Sequence, residues 1–294
     1  MLFKSRVFLL VFCLAVMLLF SCASKKAMWG NEKDGFILSY RLSPDQSWSY
    51  QSTGEEITNL VIMGNEQETK ASSRNDYTVT ANESKETNLS LTVTIDEFVR
   101  DTNSPQGEWS VDSSPIIGKN FTLILSPLGK ELEFDGIDEL KIDMGDQDGG
   151  EQSVLNYYRN PFPNLAEKPL KIGESWTEAD SFTAPAGNMQ VTVNTETKHS
   201  LTGMETIDGL ECLKVSSTVT GILTGIGEQD GNDLMLDGKL DGSGTWYFAY
   251  KKGMLLKADS ASDLNGDIDV SGGGFDLKIP ITQKTNSIVK LVQE

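Results

Sequence analysis

In the segment Leu89-Ser90-Leu91-Thr92-Val93-Thr94-Ile95 every second residue is apolar and the residues between them carry hydroxyls. A two-residue side-chain period belongs to β-strands, so one face of this segment meets a core and the other meets water. The same pattern returns at Phe36 to Leu42, Trp48 to Gln51, Tyr77 to Ala81, Phe121 to Leu125, Met189 to Thr195, Cys212 to Leu223, Trp246 to Tyr250 and Ser287 to Val292. Between and beside these runs, Gly64-Asn65, Asp135-Gly136, Asp208-Gly209, Asp237-Gly238, Asp241-Gly242 and Lys252-Gly253 supply residues that tolerate positive φ and are read as turns. Connections that short join antiparallel neighbours. An antiparallel sheet can leave one face wet, which accommodates the many Thr, Ser, Asp and Asn residues alternating with the apolar set.

Helical signal is confined to a turn around Ile137 to Leu140 and a segment near Gln152 to Arg159 that ends at Asn160-Pro161. Pro161 and Pro163 then interrupt regular structure and mark a midpoint connection. The halves on either side look faintly alike, since Trp48 and Trp176 each precede a Glu-Thr-Lys, at 68–70 and 196–198, by the same offset. The expected organisation is a signal segment at 1–21, an anchor and tether at 22–34, a first β meander at 35–150, a connection with a short helix at 151–172 and a second meander at 173–294. The expected fold class is all-β (minor α): antiparallel curved sheets from two similar β meanders that form one compact unit, as an open or partly closed barrel.

Composition narrows the function. Apolar residues make up 38%, and adding the 27 Gly of 294 residues gives about 47%, enough to bury a core. A net charge of -18 with no Lys/Arg-dense stretch excludes nucleic acid as an expected partner. The single histidine, His199, rules out multi-His zinc sites and leaves any Ser-His or Cys-His nucleophile one candidate base.

Lys4 and Arg6 precede an apolar run from Val7 to Phe20, too short to span a bilayer as a helix and typical of a secretory signal. The boundary Leu19-Phe20-Ser21-Cys22 resembles the lipobox of bacterial lipoproteins, in which a small residue precedes a cysteine that becomes acylated. That resemblance implies a palmitate-type anchor at Cys22 that attaches a soluble body to the membrane, and Phe20 departs from the usual lipobox pattern. Ala23-Ser24-Lys25-Lys26 lacks an Asp that resembles an inner-membrane retention signal, so the expected location is the outer membrane, facing the periplasm. With Cys13 removed and Cys22 acylated, only Cys212 remains, in an apolar strand context that reads as a buried structural thiol.

The second half also resembles a class of uncharacterised β-rich bacterial lipoproteins. The resemblance rests on Ile172-Gly173-Glu174-Ser175-Trp176, the turn around Asp208-Gly209, and Gly242-Ser243-Gly244-Thr245-Trp246-Tyr247-Phe248, with Ser126-Pro127-Leu128-Gly129-Lys130 before them. It implies an antiparallel body on a lipid anchor and carries no catalytic residues.

Candidate chemistry is thin. Asp263-Leu264-Asn265-Gly266-Asp267-Ile268-Asp269 places oxygens at alternate positions like a calcium loop, but Ile268 stands where an EF-hand needs Gly and Gly274 where it needs Glu, so a strand with outward Asp is expected and no metal. Asp143 to Glu151 and Glu228 to Asp241 read as mobile acidic loops, with weak calcium binding as their functional alternative, and Gly242-Ser243-Gly244 and Gly272-Gly273-Gly274 as turns. The sequons at Asn82, Asn88 and Asn120 carry little weight. His199, beside Lys198, reads as a solvated imidazole at a strand end. Trp246, Phe248 and Tyr250 share one strand face, as core or as the candidate face for an apolar or sugar-like ligand.

The expected function is a non-catalytic binding or scaffolding module of the cell envelope, tethered through Cys22, with an apolar ligand or an envelope protein as partner and no cofactor. An apolar concavity of about 300 Å³ or more favours a carrier. The alternative is a carboxylate-dependent glycoside hydrolase, which requires two facing acids about 5 to 9.5 Å apart, at least one of them buried.

Overall fold

The computed structural model describes residues 28–83, 87–144, 150–159, 161–272 and 274–293; the signal segment, Cys22 and the centre of the 143–151 loop lie outside them. The fold is all-β, with a single twelve-stranded antiparallel sheet as its frame. Two short strands, β1 (Gly30–Asn31) and β2 (Gly35–Phe36), pair with each other. The first half of the sheet comprises β3 (Ser47–Ile62), β4 (Asn65–Ala81), β5 (Leu89–Ser104), β6 (Gly107–Ser110), β7 (Asn120–Leu125) and β8 (Glu131–Asp135). A separate ribbon, β9 (Lys141–Asp143) with β10 (Glu151–Ser153), leads into the short helix α1 (Leu155–Tyr158). The second half comprises β11 (Ser175–Ala186), β12 (Met189–Ile207), β13 (Leu210–Gln229), β14 (Asn232–Ala249), β15 (Met254–Gly272) and β16 (Phe275–Gln293).

The strand order is β11-β12-β13-β14-β15-β16-β3-β4-β5-β7-β8, with β6 beside the far end of β5. The last strand, β16, pairs with β3, so the two meanders share one ladder. The sheet is not closed. Its terminal strands β8 and β11 instead border a common groove of about 1010 Å³, together with residues 164–168 of the midpoint connection, so the sheet curls until its edges face each other.

The strands are long because the alternation is long. β14 has 18 residues, roughly 60 Å of chain. The aromatic-rich core occupies only one end of this span, where Tyr50, Tyr77, Val215, Trp246 and Phe248 meet inner segments that fill the concave side. One of these is Phe36 to Leu42. Only Phe36 of it lies in a strand, yet Phe36, Leu38, Tyr40 and Leu42 are all buried, with backbone bonds reaching Leu170, Pro127 and Gly253. Tyr158 of α1 closes the core over Tyr77 and Phe121 at ring distances of 5.7 and 5.2 Å.

Several turn readings need correction. Asp208-Gly209 does form the β12–β13 hairpin, with φ of 49° and 78°. Asp237-Gly238 and Asp241-Gly242, identical in local chemistry, lie inside β14, as do Gly242-Ser243-Gly244. The stretch read as a mobile loop at 228–241 is the β13–β14 hairpin, turning only at Asp230-Gly231. The equal Trp-to-Glu offset does not mark equivalent positions: Glu68 pairs with Asn59, far along β3 from Trp48, whereas Glu196 pairs with Ala179, close to Trp176 on β11.

The interior glycines have a packing role. On the concave face of the β13–β14 ladder, large aliphatics and glycines oppose each other in five successive pairs: Val219 with Gly242, Gly221 with Leu240, Leu223 with Gly238, Gly225 with Leu236 and Gly227 with Leu234. A Cβ on Gly242 would stand 2.8 Å from both Val219 Cγ1 and the Ala261 carbonyl oxygen. Gly225 and Gly242 admit the side chain across from them, while Gly221, Gly227 and Gly238 leave room for backbone or side chains of other neighbours, so β-propensity is overridden by packing.

Candidate functional site

Beyond the core, the concave face continues as a trough. Parity places Val193, Val219, Leu223, Leu236, Leu240, Leu264, Ile268 and Ile279 on it, most of them half-buried. The opposite face is mixed: along β15, Asp263, Asp267 and Asp269 point outward and pair with Lys284 and Lys278 at 2.8 to 4.0 Å, while Ile222 and Ile226 of β13 and Met235 of β14 stand exposed on the same side. Asp263 to Asp269 is thus a strand with outward carboxylates. A transmembrane barrel turns apolar side chains outward over a band about 25 Å tall. Here the continuous apolar row lies on the concave face, and the outward face carries charges with a few exposed aliphatics.

At the boundary between trough and core lies a cavity of about 430 Å³, walled by Phe162, Phe182, Val193, Val219, Leu240 and Trp246 among others. His199 forms part of its base. The sequence reading of a solvated imidazole is wrong: His199 sits mid-strand in β12 with 4% exposure, stacked on Trp176 at 4.8 Å and edge-on to Trp246 at 5.8 Å. Its Nδ1 is 2.6 Å from Ser217 Oγ and its Nε2 is 3.2 Å from Glu178 Oε1. Trp246 Nε1–H donates to the same Ser217 Oγ at 3.0 Å. Ser217 can therefore direct its own proton to Nδ1, and the imidazole then donates from Nε2 to Glu178, an assignment that follows from the network.

Serine, histidine and glutamate in a row have the composition of a nucleophile relay, but not its surroundings. Ser217 lies in the middle of the sheet, opposite His199 on one side and Gly244 on the other, so its backbone neighbours hold ladder positions and offer no pair of donors for an oxyanion. The network fixes Trp246 and Trp176 as the floor between core and trough. The hydrolase alternative also lacks its defining group: among the described residues the buried polar side chains are Asn75, Thr102 and His199, with no carboxylate among them. No cluster of three or more His, Cys, Asp or Glu side chains among the described residues is placed to hold a metal ion.

The proposed ligand face divides. Phe248 and Tyr250 belong to the sealed core, packing edge-on against Tyr40 at 5.2 Å and Phe36 at 5.1 Å. Only Trp246 reaches a cavity wall. A register shift between Tyr247 and Phe248 separates the trough from the core along this strand. Cys212 is fully buried, its thiol donating to the Leu210 carbonyl at 3.4 Å, and burial pushes the thiol up to about 11.

A second cavity of about 350 Å³ adjoins the first, sharing Pro161, Ser287 and Val289 with it. It is lined from β3, β4, β5, β16 and the end of α1, and includes Tyr77, Arg100 and Arg159. Sequence reasoning passed over both arginines. Arg100 shares strand parity with the buried Phe98 and Thr102, a signal that could have placed it inward. Arg159 arrives from the connection after α1, and no periodicity announces it.

No family model matches the chain, and no curated protein does. Among solved structures, it is similar to OccK5 (OpdH) of Pseudomonas aeruginosa, with 6% identity over 84% of this chain and 99% of that one at a TM-score of 0.27. An outer membrane channel of Pseudomonas putida F1 gives 10% identity over 86% and 97% at 0.27. OccK2 (OpdF) of Pseudomonas aeruginosa gives 6% identity over 86% and 100%, also at 0.27. Scores at this level carry no inference about this chain.

Proposed function

We propose that this protein is a non-catalytic lipoprotein of the bacterial cell envelope, tethered through Cys22 at the outer membrane and facing the periplasm, whose curved sheet holds an apolar ligand. The observation that carries the reading is the continuous apolar, half-exposed trough on the concave face of the sheet, opening at its base into a cavity. The cavity of about 430 Å³ at its base exceeds the minimum expected for a small-molecule site. Each methylene moved from water into such a trough contributes about 0.8 kcal/mol, so a hydrocarbon chain is the ligand class that gains most there. A scaffold needs no open interior, and the trough favours the carrier over it.

Native mass spectrometry of the full chain released from neutral detergent is the direct test. Retained lipid-sized mass supports the reading, and a clean apo mass after incubation with palmitate, palmitoyl lysophosphatidate and monopalmitoylglycerol in turn overturns it. The tether is tested separately by metabolic palmitate labelling, with label expected on the wild type and absent from Cys22→Ala.

A further inference from the structure

The smaller cavity has a different character from the trough it adjoins. Only five arginines occur in a chain of net charge -18, and two of them, Arg100 and Arg159, line this one space from different elements. Both Nε atoms are buried without a hydrogen-bond partner, and so is the Tyr77 hydroxyl, on a residue only 3% exposed. Asn75, next inward along β4, leaves its Nδ2 unpartnered as well. Buried donors left unmet in this way are rare in folded proteins and mark places where a further acceptor is missing. Ser52, Ser73 and Ser287 add hydroxyls to the same wall.

Carboxylates are present too. Glu55 and Glu56 border the cavity, but Glu56 reaches only Arg100 Nη2, at 4.0 Å, which leaves the Nε edge of the guanidinium uncommitted. Arg159 meets no carboxylate within 4.0 Å among the described residues, and its guanidinium lies over the Phe182 ring of β11 at 5.2 Å. At the far side of the larger cavity stand Glu178 and Asp180. Glu178 and Asp180 disfavour an anion at their own stretch of the β11 wall, whereas beside Arg100 and Arg159 a planar guanidinium can bind two oxygens at once.

We propose that the cavity of Arg100, Arg159 and Tyr77 seats the anionic oxygen head, carboxylate or phosphate, of an amphiphile whose hydrocarbon tail lies along the trough. This rests on the carrier reading and specifies its ligand class. Gly54, on the cavity wall, is where a Cβ would come within 2.9 Å of Ser73 Oγ, so the glycine keeps the space open. The head thus sets the orientation and the trough accepts the tail.

The experiment is native mass spectrometry of the full chain from neutral detergent with four probes: palmitate, palmitoyl lysophosphatidate, monopalmitoylglycerol and inorganic phosphate. Palmitate and monopalmitoylglycerol share a tail and differ in charge. Wild type is expected to retain at least one charged amphiphile about tenfold or more over the neutral one, the scale of hydrogen bonds to a charged group. The preferred charged probe tells carboxylate from phosphate. Arg100→Gln with Arg159→Gln is expected to erase that preference while neutral binding persists, and Tyr77→Phe, which removes one hydroxyl and keeps the ring, to reduce it several-fold. Equal retention of charged and neutral probes, or an unchanged preference in the double variant, overturns the proposal and leaves the carrier reading standing. Retention of none of the amphiphiles overturns both. Phosphate retained without any amphiphile overturns the amphiphile assignment in favour of a free-anion site.

Discussion

Gly242 and Val219 face each other across the β13–β14 ladder, and a Cβ added to Gly242 would lie 2.8 Å from both Val219 Cγ1 and the Ala261 carbonyl oxygen. One of those neighbours is backbone and cannot rotate away. Gly238, two pairs along, differs: its closest neighbour is Leu264 Cδ1 at 2.8 Å, the far end of a flexible side chain.

The two glycines should therefore respond differently to the same change. Gly242→Ala is expected to destabilise the fold by about 1–3 kcal/mol through forced backbone movement. Gly238→Ala should be near neutral, because Leu264 can change rotamer and the loss of unfolded-chain freedom contributes about 0.4–1 kcal/mol in the other direction. Urea midpoints of the two variants measure the contrast, and equal midpoints would contradict the packing role assigned to Gly242.

Ser217 is the shared acceptor and donor of a buried network, so its removal leaves Trp246 Nε1 and His199 Nδ1 without partners. Ser217→Ala is expected to cost about 2–6 kcal/mol, at about 1–3 kcal/mol for each of the two buried polar groups left unmet. Thr218→Ala, on the exposed face one residue on, should stay within about 0.5 kcal/mol. Thermal melts of the pair give the comparison. A Ser217→Ala midpoint matching that of Thr218→Ala would show that the network carries no weight.

The sheet was legible in the sequence because alternation acts locally: the Leu89–Ile95 pattern becomes β5, with Leu91, Val93 and Ile95 buried. What the sequence concealed depends on the neighbouring strand. Asp208-Gly209 and Asp237-Gly238 read identically, and only the neighbouring strands, with Leu264 of β15 against Gly238, make the second a packing position. His199 looked solvated because Lys198 and Ser200 flank it, while its real partners come from β11, β13 and β14. Carrying the parity of Val191 and Val193 forward to Leu201 would have turned it inward. The anion subsite was harder still, since Arg159 reaches it from irregular chain.

Cys212 provides a chemical check on burial. Its thiol is pushed up from the ordinary range to about 11, mainly by desolvation, so the folded state holds the neutral form. Below pH 9 the thiol is neutral in both states and its burial contributes fully. As pH rises through 9 toward 11 the unfolded chain ionises first and that contribution is lost. Iodoacetamide at pH 8 should leave the native protein unmodified and label it once urea unfolds it. Stability between pH 9 and 11 should fall more steeply in wild type than in Cys212→Ala; parallel slopes would contradict a buried neutral thiol.

Leu240 offers the sharpest separation of ligand binding from folding. It is half-buried on the trough face, borders the larger cavity and pairs with Gly221 and Leu264. A carboxylate there can still reach water, so Leu240→Asp should cost the fold only the lost apolar burial, about 1–3 kcal/mol. A hydrocarbon tail laid over the same position would have to desolvate that charge, which is far more costly than the methylenes it gains. Retention of palmitate-length ligands in native mass spectra should therefore collapse in Leu240→Asp while circular dichroism keeps the β signature. Lys239→Asp, on the outward face one residue away, makes a larger change in charge and should leave retention unchanged. If both variants lose ligand, or neither does, the tail does not lie where the trough places it.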